Sequence, residues 1–202
     1  MVSQVMPVMS PVEPMHFAAA RRTGWRWAAL SVVALAGGYG VTLSLLNGPA
    51  FAWESFLALW YWMTLLVAGF ALQAGLFGYS RALAKAGVSP HASGVVASGG
   101  ASAVSMVACC AHHLADVLPL MGFAGATLFL SSYQSLFLLA GVLSNAVGVL
   151  YLLGEMERHH LYAPEGRLLA PLLRWPVRRA LPYGAAAAVL VMAFAIYWEA
   201  WA

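Results

Sequence analysis

The chain has two cysteines, and they are adjacent: Cys109 and Cys110. Ala111, His112 and His113 follow at once, and Asp116 comes three residues later. On an α-helix, residues three and four apart share a face. Cys109 then neighbours His112 and His113, while Cys110 neighbours His113 and Met106. Asp116 lies one turn beyond the histidines. The spacing predicts one stripe of Met106, Cys109, Cys110, His112, His113 and Asp116. Thiolate and thioether sulfur favour soft ions such as Cu(I) and Hg(II), and imidazole suits copper or zinc. A carboxylate one turn away can orient an imidazole. It can also take the proton that a thiol releases on binding metal. These six residues are the expected metal site, with mercury or copper as the ion.

Blander readings compete residue by residue. A lone cysteine in an apolar helix is ordinarily a small hydrophobe. Two cysteines, two histidines and a carboxylate within eight residues are harder to account for as packing, and ionisable residues inside membrane spans mark function by default. Asp116 has a second reading as a helix cap at the outer surface. The pair His159-His160 beside Arg158 reads as solvated or headgroup-facing, with a receiving site for an ion as its alternative. His16 and His91 are isolated. Adjacent cysteines make no disulfide framework, and a bridge between neighbours on a helix is strained. No Walker sequence, nucleophile elbow, His-Glu-x-x-His or dinucleotide fingerprint occurs, so the chain is not expected to be an enzyme.

The elements that hold this cluster follow from composition. Of 202 residues, 62% are hydrophobic and 8% are charged, against roughly 25% charged in soluble domains. That is too little charge to cover a soluble surface, and it predicts an all-α, polytopic membrane bundle. No cleavable signal is evident, because the first apolar run is too long for one. A helix needs about 20 apolar residues to cross the hydrocarbon core. Five segments qualify: about 27–46, 56–77, 94–112, 135–153 and 183–199. Residues 1–24 are expected as a flexible tail, interrupted by Pro7, Pro11 and Pro14, and 25–202 as one transmembrane domain. Asn47-Gly48-Pro49 ends the first span. Trp53, Trp60, Tyr61 and Trp62 mark an interface.

The 94–112 segment is built from Gly, Ala and Ser, which let helices approach closely in lipid. Asp116 and Pro119 break the apolar run after it, so about 114–130 is expected as a short re-entrant or interfacial segment. In the span 135–153, Ala140, Ser144 and Gly148 form a small-residue stripe suited to packing on the Gly94 helix. Asn145 is expected to bond across helices. A basic loop, 155–181, follows, with Leu168 to Trp175 as an amphipathic surface piece.

With five spans, all ten Lys and Arg residues fall on one side. Glu54, Asp116 and Glu199 fall on the other. The positive-inside rule makes the basic side cytoplasmic, with the N-terminus inside and the C-terminus outside. A sixth span would put the five-Arg loop outside. The net charge of +3 is then explained by topology and anionic lipid, not by nucleic acid.

Residues 95–153 resemble the small bacterial mercuric-ion transport membrane proteins of the MerT and MerF type. The residues that carry the likeness are Ser98-Gly99-Gly100-Ala101, Cys109-Cys110, Pro119-Leu120, Gly122-Phe123-Ala124-Gly125-Ala126, and Tyr133 to Leu143. The resemblance implies that Cys109 and Cys110 receive the ion. It is silent on His112, His113 and Asp116. The family's further cytoplasmic cysteine pair has no counterpart here, which leaves open another metal, or delivery instead of uptake.

The expected function is therefore a bacterial-type inner-membrane protein. It binds a soft heavy-metal ion and transports or delivers it across the membrane. Its partners are the ion and membrane lipid, with a homo-oligomer or a partner membrane subunit also open. Three alternatives stand beside it: an accessory subunit holding copper or haem for a respiratory-type complex, a membrane thiol oxidoreductase, and a purely structural bundle.

Overall fold

The computed structural model describes residues 13–86, 132–159 and 176–201. They form four helices and no strand: α1 Glu13–Asn47, α2 Pro49–Lys85, α3 Gln134–Arg158 and α4 Val177–Trp201. All four are long and apolar enough to cross a membrane. They contain the expected spans 27–46, 56–77, 135–153 and 183–199. The expected span 94–112, the segment 114–130 and the surface piece Leu168 to Trp175 lie outside the described residues.

α1 and α2 form a hairpin. Gly48 makes the turn with φ of 91°, a left-handed conformation that glycine adopts without steric cost. Pro49 follows in the first turn of α2, where a proline sacrifices no helical hydrogen bond. The same rule explains a departure from the expected tail. α1 begins at Glu13, so 13–24 is helical. Pro14 is only its second residue, where backbone N–H groups have no intrahelical acceptor anyway.

At 1.5 Å per residue, α2 is about 55 Å long, against a hydrocarbon core of about 30 Å. It bends at Leu59, whose φ of −118° and ψ of 15° leave the helical region. The turns before that bend carry Trp53 and Phe56, stacked at 5.9 Å. Trp60, Tyr61 and Trp62 follow with successive ring contacts at 6.2 and 5.5 Å. This aromatic band suits a membrane–water interface. α4 also starts before its expected span, at Val177, and continues through Pro182. The proline costs the one bond to the Arg178 carbonyl, close to the helix start.

Contacts fix the relative directions. α1 runs antiparallel to α2: Gly24 meets Gly75 and Tyr79, and Ala28 meets Gly75. α3 and α4 are also antiparallel, because Gly154 lies against Arg178 and Gly184 against Leu150. α2 and α3 instead run parallel. Leu66 and Phe70 pack with Leu138, Gln73 meets Asn145 and Gly148, and Leu83 shares a cluster with Leu152 and Met156.

Two apolar clusters hold the helices. At one end Ala20, Leu76, Tyr79, Leu83, Leu152, Leu153, Met156 and Val177 bring all four together. Nearer the other end, Leu66, Phe70 and Leu138 pack with Leu35, Leu59, Trp62 and Val142. Much of the remaining apolar surface faces outward, including Leu30, Val33, Val41 and Leu45 on α1 and Val189, Leu190 and Phe194 on α4. In water such a surface would drive aggregation. In lipid it is the solvated face.

The α1–α2 crossing depends on glycine at one position more than another. A Cβ on Gly24 would stand 2.8 Å from the Gly75 carbonyl oxygen. Backbone cannot swing aside, so Gly24→Ala is expected to cost about 1–3 kcal/mol. A Cβ on Gly75 would meet Ala28 Cβ at 3.4 Å, ordinary contact, so Gly75→Ala is expected to change stability by less than about 1 kcal/mol. Unfolding of the two variants in mixed micelles checks the ranking.

Candidate functional site

The residues read from the sequence as the metal site, Met106, Cys109, Cys110, His112, His113 and Asp116, all lie outside the described residues. Among the described residues, no three His, Cys, Asp or Glu side chains gather as a metal site. What the structure describes is the scaffold on either side of them. The chain leaves α2 at Lys85, level with Met156 and Val177 in the four-helix cluster. It returns as α3 at Gln134, which runs alongside the Leu66 and Phe70 region at the opposite end.

The end where α2 finishes is the basic end. Arg21 and Arg22 flank the buried Ala20, Arg81 and Lys85 flank the buried Leu83, and Arg158 follows Met156. Arg178 and Arg179 follow Val177. Arg26 stands nearby on α1, one residue before Trp27, whose ring lies against Gly78. The far end carries Glu54 and Glu199 and, among the described residues, no Lys or Arg. Both carboxylates of α3 at the basic end are engaged. Glu155 Oε2 lies 3.1 Å from His159 Nε2, and Oε1 lies 3.7 Å from Arg158 Nη1. Glu157 Oε2 accepts the backbone N–H of Arg178 at 3.0 Å. That bond satisfies one of the orphan donors at the start of α4 and puts a negative charge at a helix N-terminus, where the macrodipole favours it. His159, read as solvated or headgroup-facing, is instead half-buried, with its side chain 16% exposed and held by Glu155.

Between the two ends sits a polar pair in apolar surroundings. Gln73 on α2 and Asn145 on α3 are each 3% exposed. Gln73 Nε2 donates to Asn145 Oδ1 at 2.9 Å and to the Asn145 carbonyl at 3.0 Å. Asn145 Nδ2 donates to the Leu66 carbonyl at 3.4 Å. Two glycines make room. A Cβ on Gly69 would fall 2.9 Å from Asn145 Cβ, and one on Gly148 would fall 2.8 Å from Gln73 Nε2. The expected cross-helix bond of Asn145 is thus present, with α2 as its partner. Gly148, from the expected small-residue stripe, lies against Gln73. Sequence reasoning misses Gln73, whose one signal is that it is the single carboxamide in the run from Leu57 to Gly78.

Gln73 Oε1 and Ser80 Oγ are buried and have no hydrogen-bond partner among the described residues. They lie seven residues apart, two turns along one face of α2. The chain matches no protein-family model, no curated protein and no solved structure. A multi-pass membrane protein follows from the four apolar helices alone.

Proposed function

We propose that the chain binds a soft heavy-metal ion, mercury or copper, at Cys109 and Cys110 and carries it across or into a bacterial-type inner membrane. The observation that carries this reading is the ligand run Cys109-Cys110-Ala111-His112-His113 in an apolar chain with no other cysteine. The scaffold adds support. Because α2 and α3 are parallel, the chain between them leaves one end of the bundle and re-enters at the other. The proposed ligands belong to the stretch that joins the two faces. This connectivity favours an odd number of crossings between α2 and α3, and a single crossing there makes five spans in all.

The gathering of basic residues at one end supports a cytoplasmic assignment for that end. The N-terminus is then inside and the C-terminus outside. Cys109 and Cys110 supply thiolates, each losing its proton as a metal–sulfur bond forms. His112, His113 and Met106 are the further donors, and Asp116 accepts a released proton or orients an imidazole.

The test is metal accumulation by cells expressing the chain or its Cys109→Ser/Cys110→Ser variant, at matched membrane levels. Altered uptake of, or sensitivity to, mercury or copper that disappears in the variant is the expected result. Equal uptake and sensitivity for copper, mercury and zinc would sink the proposal.

A further inference from the structure

At the far end, side chains of α2, α3 and α4 line an open surface groove of about 490 Å³. Its walls are Trp62 from α2, Leu136 and Leu139 from α3, and Phe194 and Trp198 from α4, with Glu199 beside them. Phe194 and Trp198 are one helical turn apart, with ring centroids 6.3 Å apart and planes inclined by 32°. Aromatic faces attract cations through the ring quadrupole, most strongly for tryptophan. Glu199 has no ion-pair partner among the described residues, and none of them at this end is Lys or Arg.

We propose that this groove binds a lipophilic organic monocation, through its aromatic walls and the Glu199 carboxylate. Charge complementarity selects the class. A neutral apolar occupant would cover the rings and leave the carboxylate unused. A phospholipid would bring a phosphate, which meets no Lys or Arg among the described residues at this end. A cation with apolar substituents and no anionic group satisfies both the walls and the carboxylate. The site uses none of the residues assigned to the metal, so it stands or falls separately from that reading.

The probe is tetraphenylphosphonium, titrated by equilibrium dialysis into the full chain in phosphatidylcholine nanodiscs, with binding to empty discs subtracted. One saturable site per chain is expected. Glu199→Gln is expected to weaken it by about three- to tenfold, as is Trp198→Leu. Glu54→Gln, outside the groove, leaves it unchanged. Both altered groove side chains are exposed, so neither change removes a core contact. Binding no greater than to empty discs, or equal affinity in the wild type and Glu199→Gln, overturns the proposal. Displacement of the probe when phosphatidylethanolamine replaces phosphatidylcholine assigns the groove to a lipid amine and also overturns it.

Discussion

Replacing Cys109 and Cys110 together by serine is expected to reduce affinity for Hg(II) or Cu(I) by on the order of a thousandfold or more. Serine keeps the size and hydrogen-bonding ability of cysteine but offers a hard, protonated oxygen. A soft ion gains little from it, and the remaining imidazoles and thioether cannot supply the lost thiolates. Three decades of affinity correspond to about 4 kcal/mol, well beyond any packing effect of the exchange. The single variants are expected to fall between, because one thiolate and one imidazole still make a two-ligand site. Affinity should also fall as pH falls. A free thiol ionises near pH 8.5, metal binding displaces its proton, and acid restores that competitor. A metal titration followed by the charge-transfer absorption of the metal–thiolate bond reads both effects.

The second large effect concerns the buried carboxamides. Gln73→Met leaves Asn145 Oδ1 without the Gln73 Nε2 donor that lies 2.9 Å away. Asn145→Leu removes that acceptor and the bond to the Leu66 carbonyl, but leaves the Asn145 backbone carbonyl for Gln73. An unsatisfied buried polar group costs about 1–3 kcal/mol, while interhelical side-chain bonds in membranes average about 0.6 kcal/mol. Each single variant is therefore expected to lose about 1–2 kcal/mol. The double variant is expected to lose less than the sum, by about 0.5–1 kcal/mol or more, because residues in one hydrogen-bonded pair couple. A double-mutant cycle of unfolding in mixed micelles measures this. Strict additivity would mean that the pair contributes nothing beyond its separate contacts.

The two effects also separate what is legible in this sequence from what is not. Apolar length and the scarcity of charge are enough to locate the helices around 27–46, 56–77, 135–153 and 183–199, because a bilayer imposes a minimum length that composition reveals directly. The one-sided placement of Arg21, Arg22, Arg81, Lys85, Arg158, Arg178 and Arg179 is equally legible, since it needs only the order of spans. Helix ends are less so. Pro14 and Pro182 look like breakers, yet α1 starts at Glu13 and α4 at Val177, because a proline near a helix start costs little or nothing in hydrogen bonds.

Register between helices is not carried by either helix alone. Asn145 stands out as a polar residue in an apolar run, but that Gln73 is its partner depends on α2 and α3 running parallel. The roles of Gly69 and Gly148 emerge only once that register is set. For the proposed metal site, residue types and helical spacing nominate six donors. Which of them would close on one ion is a tertiary matter that spacing along one helix does not decide. His112 and His113 are the donors that depend on this most, since the family resemblance speaks only for Cys109 and Cys110.

The most direct measurement is the metal content of the purified protein, in parallel with the Cys109→Ser/Cys110→Ser variant, after exposure to Cu(I) or Hg(II) and removal of loosely held ion. Close to one ion per wild-type chain and essentially none in the variant are expected, with both proteins eluting at the same position on size exclusion. Equal metal in the two proteins, or none in either, would contradict it.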